Sequence, residues 1–205
     1  MRRCFVFHHG FLMDKNYWQN ILPYFKGEQY ILLDAGYYGQ KVEAHPEDGI
    51  EYIGVGHSLG VIKLLQTGFK FKHIIGLNSF LHFCPKHGDQ LAQFYKNFAK
   101  NKLTAVKMFW RTSGIKYVLK SIHKLKLDVL SGDAALLKQN FKSAELPPSL
   151  FISSTNDPVI TPSMTHYNFD AMQNVKLLML ADGAHVLGYV KPEVIYRHII
   201  EFINS

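Results

Sequence analysis

Tyr52-Ile53-Gly54-Val55-Gly56-His57-Ser58-Leu59-Gly60-Val61-Ile62-Lys63-Leu64-Leu65 is the stretch on which the reading of this chain turns. A short apolar run leads directly into Gly56-His57-Ser58-Leu59-Gly60, and an amphipathic run follows. Glycines flanking the central residue let a buried strand turn sharply into a helix, because side chains there would collide with the neighbouring strand and helix. Such a turn lifts Ser58 clear of the sheet. It also sets the hydroxyl at a helix N-terminus, whose free N–H groups favour developing negative charge. The pentapeptide alone is common; between a strand and a helix it points to a serine nucleophile.

Outward from this elbow, short apolar runs alternate with helical patterns. Cys4–His8, Tyr30–Asp34, Tyr52–Val55, His73–Asn78, Ser149–Ser153 and Val175–Leu180 read as strands. Asn16–Phe25, Leu59 to about Thr67, and Pro192–Ile203 read as helices. Near-continuous apolar strands separated by helices predict an α/β fold: about six strands, mostly parallel, with helices on both faces. From about 85 to 145 the alternation stops and the pattern is helical throughout. Leu91, Phe94, Tyr95 and Phe98 form one apolar stripe; Leu103, Val106 and Phe109 or Trp110 a second; Ile115, Val118, Leu119 and Ile122 a third. The 205 residues are expected to form one domain, 1–205, with 85–145 as a helical cap inserted after the fourth strand. A cap there would overlie the carboxyl edge of the sheet, where ligands of open parallel sheets bind.

Composition narrows the function classes. Hydrophobic residues at 47% and aromatics at 14% belong to a globular chain. No apolar stretch is long enough to span a bilayer, and the opening run is too soon broken by His8-His9-Gly10 to read as a secretory signal. Two cysteines, Cys4 and Cys84, give no disulfide framework, so a reducing cytoplasm is expected. The net charge of +7 is concentrated: 85–143 holds twelve basic and three acidic residues, which leaves the remainder slightly acidic. That distribution, without a recognisable binding module, argues against nucleic acid.

A serine hydroxyl needs a base, and the base needs a third group to fix its tautomer. With this elbow the chain order is serine, acid, histidine. Asp157, in Asn156-Asp157-Pro158-Val159, follows the fifth predicted strand; His185, in Gly183-Ala184-His185, follows the sixth. Each candidate thus closes a different strand at one edge. Asp182 and Asp34 are weaker candidates for the acid, and His57 is expected to be a packing or supporting residue. The backbone N–H groups of Leu59, after the nucleophile, and of Phe11, in the His-Gly turn, are the expected oxyanion donors. His8 and His9 are poorly placed to share a metal, since neighbouring strand residues point to opposite faces. Neither metal nor cofactor is expected.

His9-Gly10-Phe11, Gly56-His57-Ser58-Leu59-Gly60, Asn156-Asp157-Pro158-Val159 and Gly183-Ala184-His185 together resemble the α/β-hydrolase superfamily. Within it the chain is similar to the pimeloyl-acyl-carrier-protein methyl ester esterases of biotin synthesis. That likeness is carried by Trp18 with Leu22-Pro23, Leu91-Ala92-Gln93-Phe94, Val106-Lys107-Met108-Phe109, and Leu127 to Gly132 with Leu136-Leu137. It departs at Val61, where a glycine is usual, and in having lysines in the cap where the family favours arginine. The resemblance implies a triad of Ser58, Asp157 and His185, with Phe109, Trp110 and Arg111 bordering the substrate channel. Lys116, Lys120 and Lys124 would form one face of a helix over 115–125, with Lys107 and Arg111 repeating the arrangement one helix earlier. So one-sided a charge suits an acidic acyl carrier protein that presents a pimeloyl methyl ester. A monomer is expected. The competing readings are a solvated lysine face, a general short-chain carboxylesterase or thioesterase, and a non-catalytic binding protein on the same scaffold.

Overall fold

The computed structural model describes residues 2–83, 88–115, 122–137, 139, 141 and 146–205. Six strands form one parallel sheet: β1 Arg2–His8, β2 Gln29–Leu33, β3 Ile50–His57, β4 Phe71–Leu77, β5 Ser149–Ser154 and β6 Val175–Leu180. Their spatial order is β2-β1-β3-β4-β5-β6. The chain therefore moves outward from β1 to β2, then returns across β1 to add β3 on its other side. The crevice beyond the ends of β1 and β3 is the switch point at which open parallel sheets hold ligands.

Alternation along the strands divides the core between the two faces of the sheet. Phe5 and Phe7 of β1, Ile53 and Val55 of β3, Ile75 and Leu77 of β4, and Leu150 and Ile152 of β5 share one apolar cluster with Trp18, Ile195 and Ile199. Cys4, Val6 and Tyr52 join Leu64 and Phe69 in a second, while Ile74 and Phe151 join Val61 and Phe169 in a third. Both faces are thus buried, as in a sheet built from βαβ crossovers. One is covered by the segment at 15–25 and by α6 (Pro192–Ile203), the other by α1 (Gly60–Leu65) and α5 (Pro162–Phe169).

The segment between β4 and β5 holds α2 Gly88–Lys100, α3 Lys102–Ser113 and α4 Leu127–Leu136. Two expectations are corrected by the structure, and a third is only partly described. Residues 16–25 form not one α-helix but two 3-10 segments, Lys15–Asn20 and Leu22–Phe25. Pro23 has no N–H to donate, and the chain closes instead through three-residue bonds, Ile21 N–H to the Trp18 carbonyl (3.1 Å) and Tyr24 N–H to that of Ile21 (3.0 Å). The helix expected over 115–125 lies mostly outside the described residues; at its margins α3 closes at Gly114 (φ 84°), Ile115 lies beyond it, and Ile122–Lys124 is a 3-10 turn. Lys116 and Lys120, with Val118 and Leu119, lie outside the described residues, as does Cys84. Leu103 is 47% exposed and does not join the stripe assigned to it; the buried face of α3 is Ala105, Val106, Trp110 and Ser113. Among the described residues no helix is long and apolar enough to cross a membrane.

Candidate active site

Ser58 ends the turn from β3 into α1 at φ 52°, a left-handed conformation that costs a non-glycine residue about 1–2 kcal/mol. The surroundings enforce it. Ser58 N–H donates to the Leu77 carbonyl (3.0 Å), and the Ser79 hydroxyl donates to the Ser58 carbonyl (2.7 Å). A Cβ on Gly60 would stand 2.2 Å from the His8 carbonyl oxygen, and one on Gly56 would stand 2.5 Å from Val61 N. Both positions must be glycine for α1 to lie so close to the sheet.

His185 and Asp157 reach this point from the ends of β6 and β5. His185 Nε2 lies 3.1 Å from Ser58 Oγ, and His185 Nδ1 lies 2.8 Å from Asp157 Oδ2. All three side chains are buried. Asp157 is fully engaged: its Oδ1 accepts from the N–H groups of Val159 (2.7 Å) and Ile160 (2.9 Å), and its Oδ2 also accepts from Asn78 Nδ2 (2.7 Å). With an acceptor-only carboxylate on Nδ1, the neutral imidazole carries its proton there, leaving Nε2 free to accept from the serine. The order hydroxyl, imidazole, carboxylate is therefore continuous.

The loop carrying His185 passes through three successive left-handed residues, Asp182, Gly183 and Ala184. It is held by Asn156 Oδ1, which accepts from Ala184 N–H (3.0 Å), and by Asn78, whose amide also donates to the Ala184 carbonyl (3.1 Å). Asn78 Oδ1 in turn accepts from Leu187 N–H (3.3 Å). Asn78 was absent from the sequence-based candidates, although it closes β4 as Asp157 and His185 follow β5 and β6. Asp182 is exposed, and Asp34 lies beside His9 instead of near His185.

His57 supports this arrangement from below. Its Nε2–H donates to the His185 carbonyl (2.7 Å), and its ring stacks on Tyr17 at 4.2 Å. Burial, reinforced by the neighbouring His185, holds the His57 pKa well below the usual imidazole value, so this ring stays neutral. His8 is similar: burial, aided by His9, lowers its pKa to about 3, and its Nδ1–H is taken by the His9 carbonyl. Among the described residues no three His, Cys, Asp or Glu side chains gather as metal ligands would.

The N–H groups of Phe11 and Leu59 have no acceptor among the described residues. Above Ser58 lies a cavity of about 570 Å³, walled by Phe11, Phe80, Phe83, Phe94 and Phe109 with Ile160. Its polar lining is neutral, chiefly Gln93, Asn97 and Thr112. Phe109 thus faces the cavity, while Trp110 is buried away from it with its indole N–H on the Leu12 carbonyl (2.9 Å). Lys107, Arg111 and Lys124 are exposed and do not line it.

Strand order, elbow and helical insertion give this chain the α/β-hydrolase fold. A hydrolase from Oleispira antarctica matches the whole chain over 92% of its own length, with a TM-score of 0.82 and 18% identity. An esterase from Exiguobacterium antarcticum matches 99% of the chain over 92% of its own (TM-score 0.79, 11% identity). An epoxide hydrolase from Bacillus megaterium matches all of it over 94% of its own (0.75, 16%). No family model matches the chain, and no curated protein matches it in sequence.

Proposed function

We propose that this protein is a serine carboxylesterase in which Ser58 is the nucleophile, His185 the base and Asp157 the group that orients it. The observation that carries the reading is the unbroken contact from Ser58 Oγ through the imidazole to the Asp157 carboxylate. Ser58 Oγ attacks the ester carbonyl carbon as His185 Nε2 takes its proton. The carbonyl oxygen becomes negative and is received by the N–H groups of Phe11 and Leu59. His185 then returns the proton to the departing alcohol, leaving an acyl-enzyme. Water, deprotonated by the same nitrogen, releases the acid and restores Ser58.

For the substrate, the proposal is the methyl ester of a pimeloyl chain on acyl carrier protein, releasing methanol and the free ω-carboxylate in a biotin-forming cytoplasm. An apolar cavity with no charged lining among the described residues favours a neutral methyl ester end over a free carboxylate. The exposed Lys107, Arg111 and Lys124, with Lys116 and Lys120, supply the positive charge that would steer an acidic carrier to a cap at 85–145. The same neutral cavity also favours a second reading, a general esterase or thioesterase for small apolar acyl groups, in line with the esterase among the structural neighbours.

Labelling by a fluorophosphonate that is lost in Ser58→Ala is the expected result for the nucleophile; labelling that survives the substitution sinks it. Turnover of methyl pimeloyl-carrier, reduced by charge reversal at Lys107 and Arg111 while p-nitrophenyl butyrate hydrolysis persists, selects the carrier substrate. No turnover of that ester alongside rapid cleavage of small esters selects the general esterase.

A further inference from the structure

Leu12 follows Phe11 in the turn beyond β1 and stands at φ 59°, a left-handed conformation that a branched, bulky side chain disfavours. Its carbonyl accepts two side-chain hydrogen bonds, from the Tyr38 hydroxyl (3.0 Å) and from Trp110 Nε1 (2.9 Å). Tyr38 comes from the loop after β2; Trp110 comes from α3, 98 residues beyond Leu12. The Gly10 carbonyl is held in the same way, by His9 Nδ1–H (2.9 Å) and by Met13 N–H (3.3 Å). The Phe11 amide lies between these two fixed carbonyls.

A peptide unit is planar and trans, so the Gly10 oxygen and the Phe11 N–H point in opposite directions from one plate. Fixing the oxygen sets the line of the N–H. Fixing the Leu12 carbonyl keeps Leu12 in its left-handed state and so holds the chain on the far side of Phe11, which resists rotation of the plate from that end. The turn adjoins the nucleophile: a Cβ on Gly10 would stand 2.9 Å from Ser58 Cβ. A buried indole N–H needs an acceptor, but this one has been given a carbonyl that Tyr38 already serves.

We propose that Trp110 is a positioning residue for the oxyanion site: with Tyr38 it clamps the Leu12 carbonyl and so aims the Phe11 N–H at the oxygen that becomes negative on ester attack. The assignment rests on the reading of Ser58 as nucleophile. It gives α3 two tasks on adjacent residues, since Phe109 walls the cavity and Trp110 holds the turn beneath it. What fills the cavity thereby bears on the same helix that sets the oxyanion geometry.

The test compares Tyr38→Phe, Trp110→Phe and the double variant with the parent protein, using p-nitrophenyl butyrate and a trifluoromethyl ketone whose hemiketal places an oxyanion at this position. Each single variant is expected to lower kcat about tenfold with KM within about twofold, and to weaken the ketone by a similar factor. The double variant should lose about a hundredfold or more. Values of kcat within about twofold of the parent in Tyr38→Phe and in folded Trp110→Phe overturn the proposal, as does a loss confined to KM. Should Trp110→Phe not fold by near-UV circular dichroism, Tyr38→Phe, which removes a single oxygen, decides the matter. A parent protein that takes no fluorophosphonate label removes both the nucleophile reading and this one. A labelled parent with unaffected variants removes only this one.

Discussion

At the scale of single residues the site is a set of strained or desolvated groups, each held by contacts from distant strands. Gly60 shows how little slack there is. Gly60→Ala places a methyl 2.2 Å from a backbone oxygen, so a stability loss of about 3 kcal/mol or more is expected in urea unfolding; a normal midpoint would mean that α1 stands further from β1. Asn78 makes three connections at once, to Asp157, Ala184 and Leu187. On the proposed function, Asn78→Ala should lower kcat about tenfold through misplacement of the Asp157 carboxylate and the loop that carries His185, with KM little changed. Unchanged kcat would limit Asn78 to a packing role. Ser58, Asp157 and His185 were legible in the sequence because each lies at or beyond the end of a recognisable strand. Asn78 has the same local signal, but its importance comes from partners 79, 106 and 109 residues away.

At the scale of elements, the strands were the most legible because their apolar runs are short, continuous and bounded. The segment at 15–25 was misread because its spacing suits either helix type; Pro23 and the three-residue bonds decide for 3-10. The helix α5 went unread although Thr161-Pro162 is a start signal, with Thr161 Oγ1 accepting from Met164 N–H (3.3 Å). In α3 both ends are written locally. Asn101 Oδ1 accepts from Thr104 N–H (3.0 Å), and Gly114 at φ 84° closes the helix with its N–H on the Trp110 and Arg111 carbonyls. Gly114→Ala forces a left-handed alanine whose Cβ sits 3.2 Å from that of Ala184. A loss of about 1–2 kcal/mol is expected from chemical denaturation. A shift under about 0.3 kcal/mol would show that the end of α3 frays without consequence.

For the molecule as a whole, buried neutral histidines set an acid limit. His8 has a folded pKa of about 3 and that of His57 is held well below the ordinary value, whereas unfolded imidazoles titrate near 6.5. Below about pH 6.5 the unfolded chain takes up two protons that the folded chain refuses, so stability falls as pH falls. From these two groups the slope approaches about 2.7 kcal/mol per pH unit, continuing toward pH 3, where folded His8 itself protonates. Urea titrations between pH 7 and 5 should show this decline, and His8→Asn, which keeps a donor for the His9 carbonyl, should roughly halve it. Stability that stays level across this range would mean that water reaches both rings.

The sequence by itself determined the parallel α/β sheet, the elbow and the residues that close its strands, because period, length and turn chemistry are local properties of a chain. It left open which polar groups meet. Whether Trp110 faces the cavity or the Leu12 carbonyl depends on the rotation of α3 above the sheet, and that rotation is fixed by packing between segments far apart in sequence. Only the tertiary structure could decide it, since a helical pattern states which residues share a face and leaves unstated what that face will touch.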